Sequence, residues 1–425
     1  MGTSGEKKSI SILILIPPFL LDFRLQTTNI GSESSCLTSC HPRVGDLLIG
    51  RSERLRAGST CGLIKPKRYC IVSLTEQRKK CFICDSRPMY AKDRWKYHHI
   101  ENVVARQGND SREFWWQSEN GVQEVSIRLD LEAEFHFSYL VLEFQTFRPA
   151  AMIIERSSDR GLTWKAYQYF AYNCSDSFPG VPKRERLAIE DVICEDKYSN
   201  VEPSKFGEVI FKVLPPSIRI DDPYSGQVQD LLRITNLRIN FTRLHTLGDN
   251  LLDPRVEIQE KYFYAINKMV VGGACFCYGH ASKCVSEAGM AETPGMVYGK
   301  CECNHHTKGM NCEQCDDFYN DAPWRPAIGA QVNACKRCEC HGHSSRCAFN
   351  ETVYKQNGGL SGGVCLDCAH NTAGIHCEQC SNGFFRNSAR SIEDPSVCER
   401  KPSTRFEGQS SIKAIVFFLS PFHPA

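Results

Sequence analysis

The chain has 425 residues, 41% of them apolar, and 51 basic side chains against 49 acidic ones give a formal net charge of +2. That balance removes any electrostatic ground for nucleic acid or an anionic membrane as partner. The 24 cysteines argue against a reducing cytosol and against an ordinary soluble enzyme.

Residues 1–35 read as a leader. Lys7 and Lys8 precede an apolar run from Ile10 to Leu21, in the order of a secretory signal, although Pro17 and Pro18 interrupt the run. From 36 to 274 the chain reads as strands and loops. Val125, Ile127, Leu129 and Leu131 alternate with Ser126, Arg128 and Asp130, which predicts a half-buried strand. Leu140, Leu142 and Phe144 alternate with Val141 and Glu143 and predict the next one. Met152–Ile154, Val209–Val213 and the set Leu237, Ile239 and Phe241 add further strands. With no long apolar pattern of period 3.6, the expected architecture is two packed antiparallel sheets. Trp115 and Trp116 read as core anchors, and Ser157, Ser158, Asp159 and Gly161 as a hairpin turn. Arg233, Arg238 and Arg243 lie five apart, so successive members should fall on opposite strand faces and not form one heparin-binding stripe.

The C-terminal part repeats. Cys275, Cys277 and Cys284 recur as Cys338, Cys340 and Cys347, and CYGHASKC is answered by CHGHSSRC, HTKGMNCEQC by NTAGIHCEQC. Two units follow, 275–337 and 338–400, and then a polar tail at 401–425 whose short apolar run cannot span a bilayer. Each unit carries eight cysteines. Zinc is a rival reading, with His280, His341 and His343 nearby, but structural zinc takes four ligands at compact spacing. A redox CxxC would want a βαβ context. Eight thiols in a small unit with few large apolar residues suit four disulfides, and counting alone leaves 105 pairings open. Gly309 and Gly374, each three residues before a cysteine, fit tight backbone turns.

The string WWQSENG (115–121), together with RPAAMIIERSSDRGLTWKAYQYFAYNC (148–174), CEDKYSNVEPS (194–204) and LRITNLRINFTRLHTLGDNLLD (232–253), resembles the laminin N-terminal domain, in its β-type form in particular. CFCYGHASKC and GKCECNHHTKGMNCEQCDDFY resemble the laminin-type EGF-like module. The resemblance implies a mainly β fold: a jelly-roll β-sandwich followed by two disulfide-rich modules. It also implies the bridges Cys275–Cys284, Cys277–Cys301, Cys303–Cys312 and Cys315–Cys335. In the second module it implies Cys338–Cys347, Cys340–Cys365, Cys368–Cys377 and Cys380–Cys398. In the head, Cys174 and Cys194 are expected to bridge around a loop, while Cys36, Cys40, Cys61, Cys70, Cys81 and Cys84 pair among themselves in an order the sequence leaves open.

Glycosylation sequons stand at Asn109, Asn173, Asn240 and Asn350, with Asn173 compromised by the disulfide expected at Cys174. Some relatives bind calcium just before the paired tryptophans; here that loop is RQGNDSREF, and Asp110 is a weak candidate ligand. Val271–Ala274 supply no acidic ligand ahead of the first module. No cofactor is implied, and neither a Gly-x-Ser-x-Gly elbow nor an HExxH or phosphate-loop motif occurs. By resemblance, the chain is a secreted, extracellular-matrix glycoprotein of basement membranes. Its expected partners are the N-terminal domains of laminin α and γ chains, with cell-surface receptors or heparan sulfate as further candidates. A netrin-like receptor ligand is the alternative, and a glycan-binding sandwich a third. After Cys398 the chain runs into Glu399, Arg400, Lys401 and Pro402 without a third module or heptads, so the expectation is a shortened product that could cap a laminin lattice.

Overall fold

The computed structural model describes residues 36–72, 79–93, 95–104, 114–286 and 292–401. The head is built from β1 (Gly45–Asp46), β2 (Leu55–Ala57), β3 (Lys67–Val72), β4 (Lys79–Cys84), β5 (Trp116–Gln117), β6 (Val125–Phe144), β7 (Ala151–Ser157), β8 (Lys165–Ala171), β9 (Cys194–Glu195), β10 (Gly207–Lys212), β11 (Arg233–Arg243) and β12 (Ala265–Cys275). Strands β3 and β4 form a separate hairpin; the rest belong to one ten-stranded sheet with a path β1-β12-β6-β11-β7-β8-β9. Every pairing in it is antiparallel except β8 with β9.

The organising element is β6. Its first half pairs with β11 and β2, and its second half with β12 and β10. One long strand thus passes from one layer of the sandwich into the other, and the sheet folds over on itself. Phe241 on β11 meets Trp116 on β5 at 6.3 Å and Phe144 at the end of β6 at 5.9 Å between ring centroids, which closes the two layers over a common core. Trp116, Phe135, Phe137, Phe144, Phe211, Phe241 and Leu237 are fully buried there. Each such side chain contributes roughly 1.5–3 kcal/mol by leaving water.

The sequence pattern split this strand in two, at Leu131 and Leu140, and the structure joins the pieces. Burial alternates without a break from Val125 to Phe137; then Ser138 and Tyr139 are both half-buried before Leu140 resumes the alternation. The partner strand shifts register at the same place, between Gly272 and Gly273. One extra residue reverses the phase of every side chain beyond it, so a continuous strand reads as two. Gly272 is required at this bulge, because an added Cβ would stand 2.2 Å from the Tyr139 ring.

Beyond the head, each module is a set of short hairpins. Cys284–Val285 pairs with Lys300–Cys301, and Thr307–Lys308 with Gln314–Cys315. The second module repeats these as Arg346–Phe349 with Gly363–Leu366 and Thr372–Ala373 with Gln379–Cys380, and adds Phe384–Arg386 with Cys398–Arg400. Their small cores are made of cysteines rather than of large apolar side chains. Such a core is too small to hold the chain without covalent staples.

Candidate functional site

All 24 cysteines are paired. In the first module the sulfurs join Cys275 to Cys284, Cys277 to Cys301, Cys303 to Cys312 and Cys315 to Cys335. In the second they join Cys338 to Cys347, Cys340 to Cys365, Cys368 to Cys377 and Cys380 to Cys398. The head holds Cys174–Cys194 and the three pairs the sequence left open, Cys36–Cys40, Cys61–Cys84 and Cys70–Cys81. Gly309 and Gly374 sit at φ +107° and +99°, each backed against a carboxylate, Glu313 and Glu378, two residues past the bonded Asn311 and His376 amides.

The head and first module meet in a joint that local sequence reading did not reveal. Arg51 is 1% exposed. Its Nε donates to Glu132 Oε2 at 2.8 Å and its Nη2 to Glu132 Oε1. Nη1 donates to the Leu47 carbonyl at 3.0 Å, and Nη2 also reaches the carbonyl of Val297, in the module, at 2.6 Å. The guanidinium lies over the Phe135 ring. Burial pushes the Glu132 carboxyl up, but the bonds and charge of Arg51 outweigh it and hold the group below its ordinary range. On the other side of the joint, Phe276 packs on His136 at 4.5 Å and on Tyr278 at 4.0 Å, and Tyr278 meets Trp324 edge-on at 4.9 Å. The modules are likewise joined. Asp321 of the first accepts from Ser361 Oγ at 2.6 Å, and the Cys338 and Cys347 amides donate to the Phe318 and Asp317 carbonyls.

A histidine pair recurs in both modules. His280 Nδ1 stands 3.0 Å from His305 Nδ1, and His343 Nδ1 stands 2.9 Å from His370 Nδ1. His280 and His343 are buried, and burial pulls the His280 imidazolium below its ordinary range. The repeat carried the signal, since NHHTKG and HNTAG place His305 and His370 in register.

Trp115 and Trp116 lie inside the head: Trp115 stacks on His98 at 4.1 Å, and Trp116 Nε1 donates to Thr60 Oγ1 at 3.1 Å. Asp159 closes the β7–β8 turn, bonded by Thr163 Oγ1, the Thr163 amide and Ser157 Oγ, and these bonds hold its carboxyl well below the usual range. The arginines of β11 are placed differently from expectation. A bulge between Ile234 and Asn236 returns Arg233 to the outward face that Arg238 occupies. Both are neutralised there, Arg233 by Glu134 and Arg238 by Glu155, each at 2.7 Å, and Arg243 stands exposed at the strand end. Asn240, in mid-strand, donates its amide to Glu155. Asn350 is exposed and caps a short helix, its Oδ1 accepting from the Thr352 and Val353 amides. Asn173 caps the turn of Cys174–Ser177 and donates to Asp176. Asn109 and Asp110 fall outside the described residues. Among the described residues no helix is long and apolar enough to cross a membrane.

A long strand shared by two layers, closed over aromatic rings and followed by eight-cysteine modules, defines a head-and-spacer protein. The laminin N-terminal (domain VI) family matches residues 40–273, the laminin EGF domain 275–335 and the laminin/attractin EGF domain 338–393. The chain therefore belongs to the laminin N-terminal family. It is 57% identical to human laminin subunit beta-2 over 362 residues, covering 85% of this chain and 20% of that one. It is 54% identical to Drosophila melanogaster laminin subunit beta-1 over 369 residues, with the same coverage. Against netrin-4 of Pongo abelii the identity is 40%, over 87% of this chain and 59% of that one. The chain thus spans about a fifth of the length of the laminin relatives.

Proposed function

We propose that this chain is a β-type arm tip that works outside the cell. Its head associates with the N-terminal domains of laminin α and γ chains in building a basement-membrane network, and supports cell adhesion through it. The observation that carries the reading is the pairing of a β-type laminin match across head and modules with a hydrogen-bonded joint at Arg51. A spacer stapled within each unit and bonded to its neighbours presents the head at a set angle, so that many weak contacts act together in a lattice. The role is structural, without a catalytic step. Cysteine pairing throughout suits export into an oxidising compartment, and an exposed Asn350 whose Nδ2 lies opposite its capping oxygen suits a glycan there. Co-sedimentation of the full chain with α- and γ-type arm-tip fragments tests the reading. A ternary species larger than any pair supports it; separate monomers at tens of micromolar refute it.

The second reading is a netrin-like ligand for cell-surface receptors, favoured by the 40% identity to netrin-4 over the same head and modules. Receptor binding without arm-tip association would select it.

A further inference from the structure

The two histidine pairs look alike, but their hydrogens do not add up in the same way. A contact of about 3 Å between ring nitrogens needs one hydrogen between them, and a neutral imidazole has a single N–H. In the second module the count closes with both rings neutral. His343 donates from Nε2 to the Ile392 carbonyl at 2.6 Å, which leaves its Nδ1 to accept from His370. In the first module it does not close. His280 Nε2 faces the Arg325 carbonyl at 3.0 Å, and His305 Nε2 faces the Cys36 carbonyl at 2.8 Å. Carbonyls only accept, so three contacts need three hydrogens, and two neutral rings bring two.

We propose that His305 takes up the third as a proton, so that the first pair is a proton-closed clasp fastening the strap Cys36–Cys40 to the first module. The proton belongs on His305 because His280 is fully enclosed and its ring must stay a neutral acceptor. The strap already lies along the module, with the Cys40 amide on the Gly279 carbonyl at 2.8 Å and the Ser39 amide on the Gly329 carbonyl at 2.9 Å. Five residues on, it becomes β1, so the clasp stands at the joint between head and spacer. When His305 loses the proton, its remaining hydrogen can serve His280 or the Cys36 carbonyl but not both.

The surrounding groups do not replace that proton. Trp324 walls His280 at 5.9 Å. Glu302, Asp316, Arg325 and Lys336, on the neighbouring turns, have no side-chain bond to either ring among the described residues, and His305 is the charge that acts on His280. His41, on the strap's continuation, acts on His136 of the head. A bridging metal fits less well: tetrahedral zinc with bonds of about 2.0–2.1 Å would set the nitrogens roughly 3.3 Å apart.

Hydrogen exchange of the full chain, corrected for intrinsic rates and followed from pH 5.5 to 8.5, tests the clasp. Protection of the peptide over 36–40 is expected to fall as the pH rises across that range, by up to about tenfold per pH unit, the limit for one linked proton. His305→Gln, whose amide can still donate but cannot take up a proton, is expected to give a flat profile. His370→Gln should leave the wild-type profile unchanged, and a chelator should do nothing. A flat wild-type profile overturns the proposal. So does an unchanged slope in His305→Gln, which would assign the effect to His41, or a protection that the chelator abolishes, which would put a metal ion between the rings.

Discussion

Replacing Arg51 by methionine would remove the group on which the head–module joint turns. Methionine keeps most of the aliphatic stem, so the loss is that of the guanidinium, its place over the Phe135 ring included. Two buried carbonyls, Leu47 and Val297, lose charged donors, and Glu132 loses both of its bonds. A hydrogen bond to a charged group is worth about 1.5–3 kcal/mol, and breaking a buried ion pair costs about 3–5 kcal/mol. Glu132 is about a third exposed, with 32% of its side chain accessible, so water recovers part of that cost. The expected loss is about 3 kcal/mol, local to the joint, or roughly a hundredfold in its opening equilibrium at about 1.4 kcal/mol per decade. Since a multi-unit disulfide protein does not unfold in two states, the assay is hydrogen exchange on peptides covering 45–51 and 292–301. Protection there should fall roughly a hundredfold while β7 and β8 stay unchanged. Unchanged exchange over 292–301 would show that the Val297 carbonyl bond does not hold the module to the head.

Other outcomes follow from the same contacts. Gly374→Ala forces a left-handed residue into Glu378 and should destabilise the second module by about 1–2 kcal/mol, read as faster proteolysis of that module alone. Cys277→Ser opens a bridge spanning 24 positions and leaves Cys301 unpaired; a loss of about 2–4 kcal/mol should appear as low secretion with mixed disulfides by mass spectrometry. The folded Asp159 carboxyl lies below its unfolded value of 3.8. The stability it lends the β7–β8 turn is therefore complete above that pH and drains as the pH falls toward the folded value. Protection of residues 157–165, corrected for intrinsic rates, should be flat from pH 7 to 5 and fall below 4, and Asp159→Asn should remove that dependence. Glycopeptide mapping of secreted chain should find Asn350 occupied and Asn240 bare, since the Asn240 amide is held by Glu155 between two strands.

Strands β6, β7, β10 and β11 were legible in part from their apolar residues, whereas β8 and β12 were not read, since their burial does not alternate cleanly. β6 was read only as far as Leu131 and again from Leu140; Ala133, Phe135 and Phe137 continue the alternation between them, and a bulge at Ser138 and Tyr139 then flips the phase. A larger register irregularity between Ile234 and Asn236 carried Arg233 to the face that a simple spacing rule denied it. Cysteine spacing marked the modules, but a count could not choose among pairings, and family resemblance was needed to do so. The joint was out of reach. Arg51 and Val297 are 246 positions apart, and nothing local distinguishes Arg51 from the exposed Arg54 three residues on. The histidine pairs were half visible: the repeat aligned His305 with His370, yet a ring's hydrogen count depends on carbonyls brought in from distant turns.

Everything proposed for the chain presumes an exported, fully oxidised molecule. Non-reducing peptide mapping of protein recovered from the culture medium of expressing cells tests that presumption most directly. Eight bridges within 275–398, none crossing between the modules, together with Cys174–Cys194 in the head, is the expected map. Retention in the cell, free thiols across those residues, or zinc co-purifying in their place would contradict it.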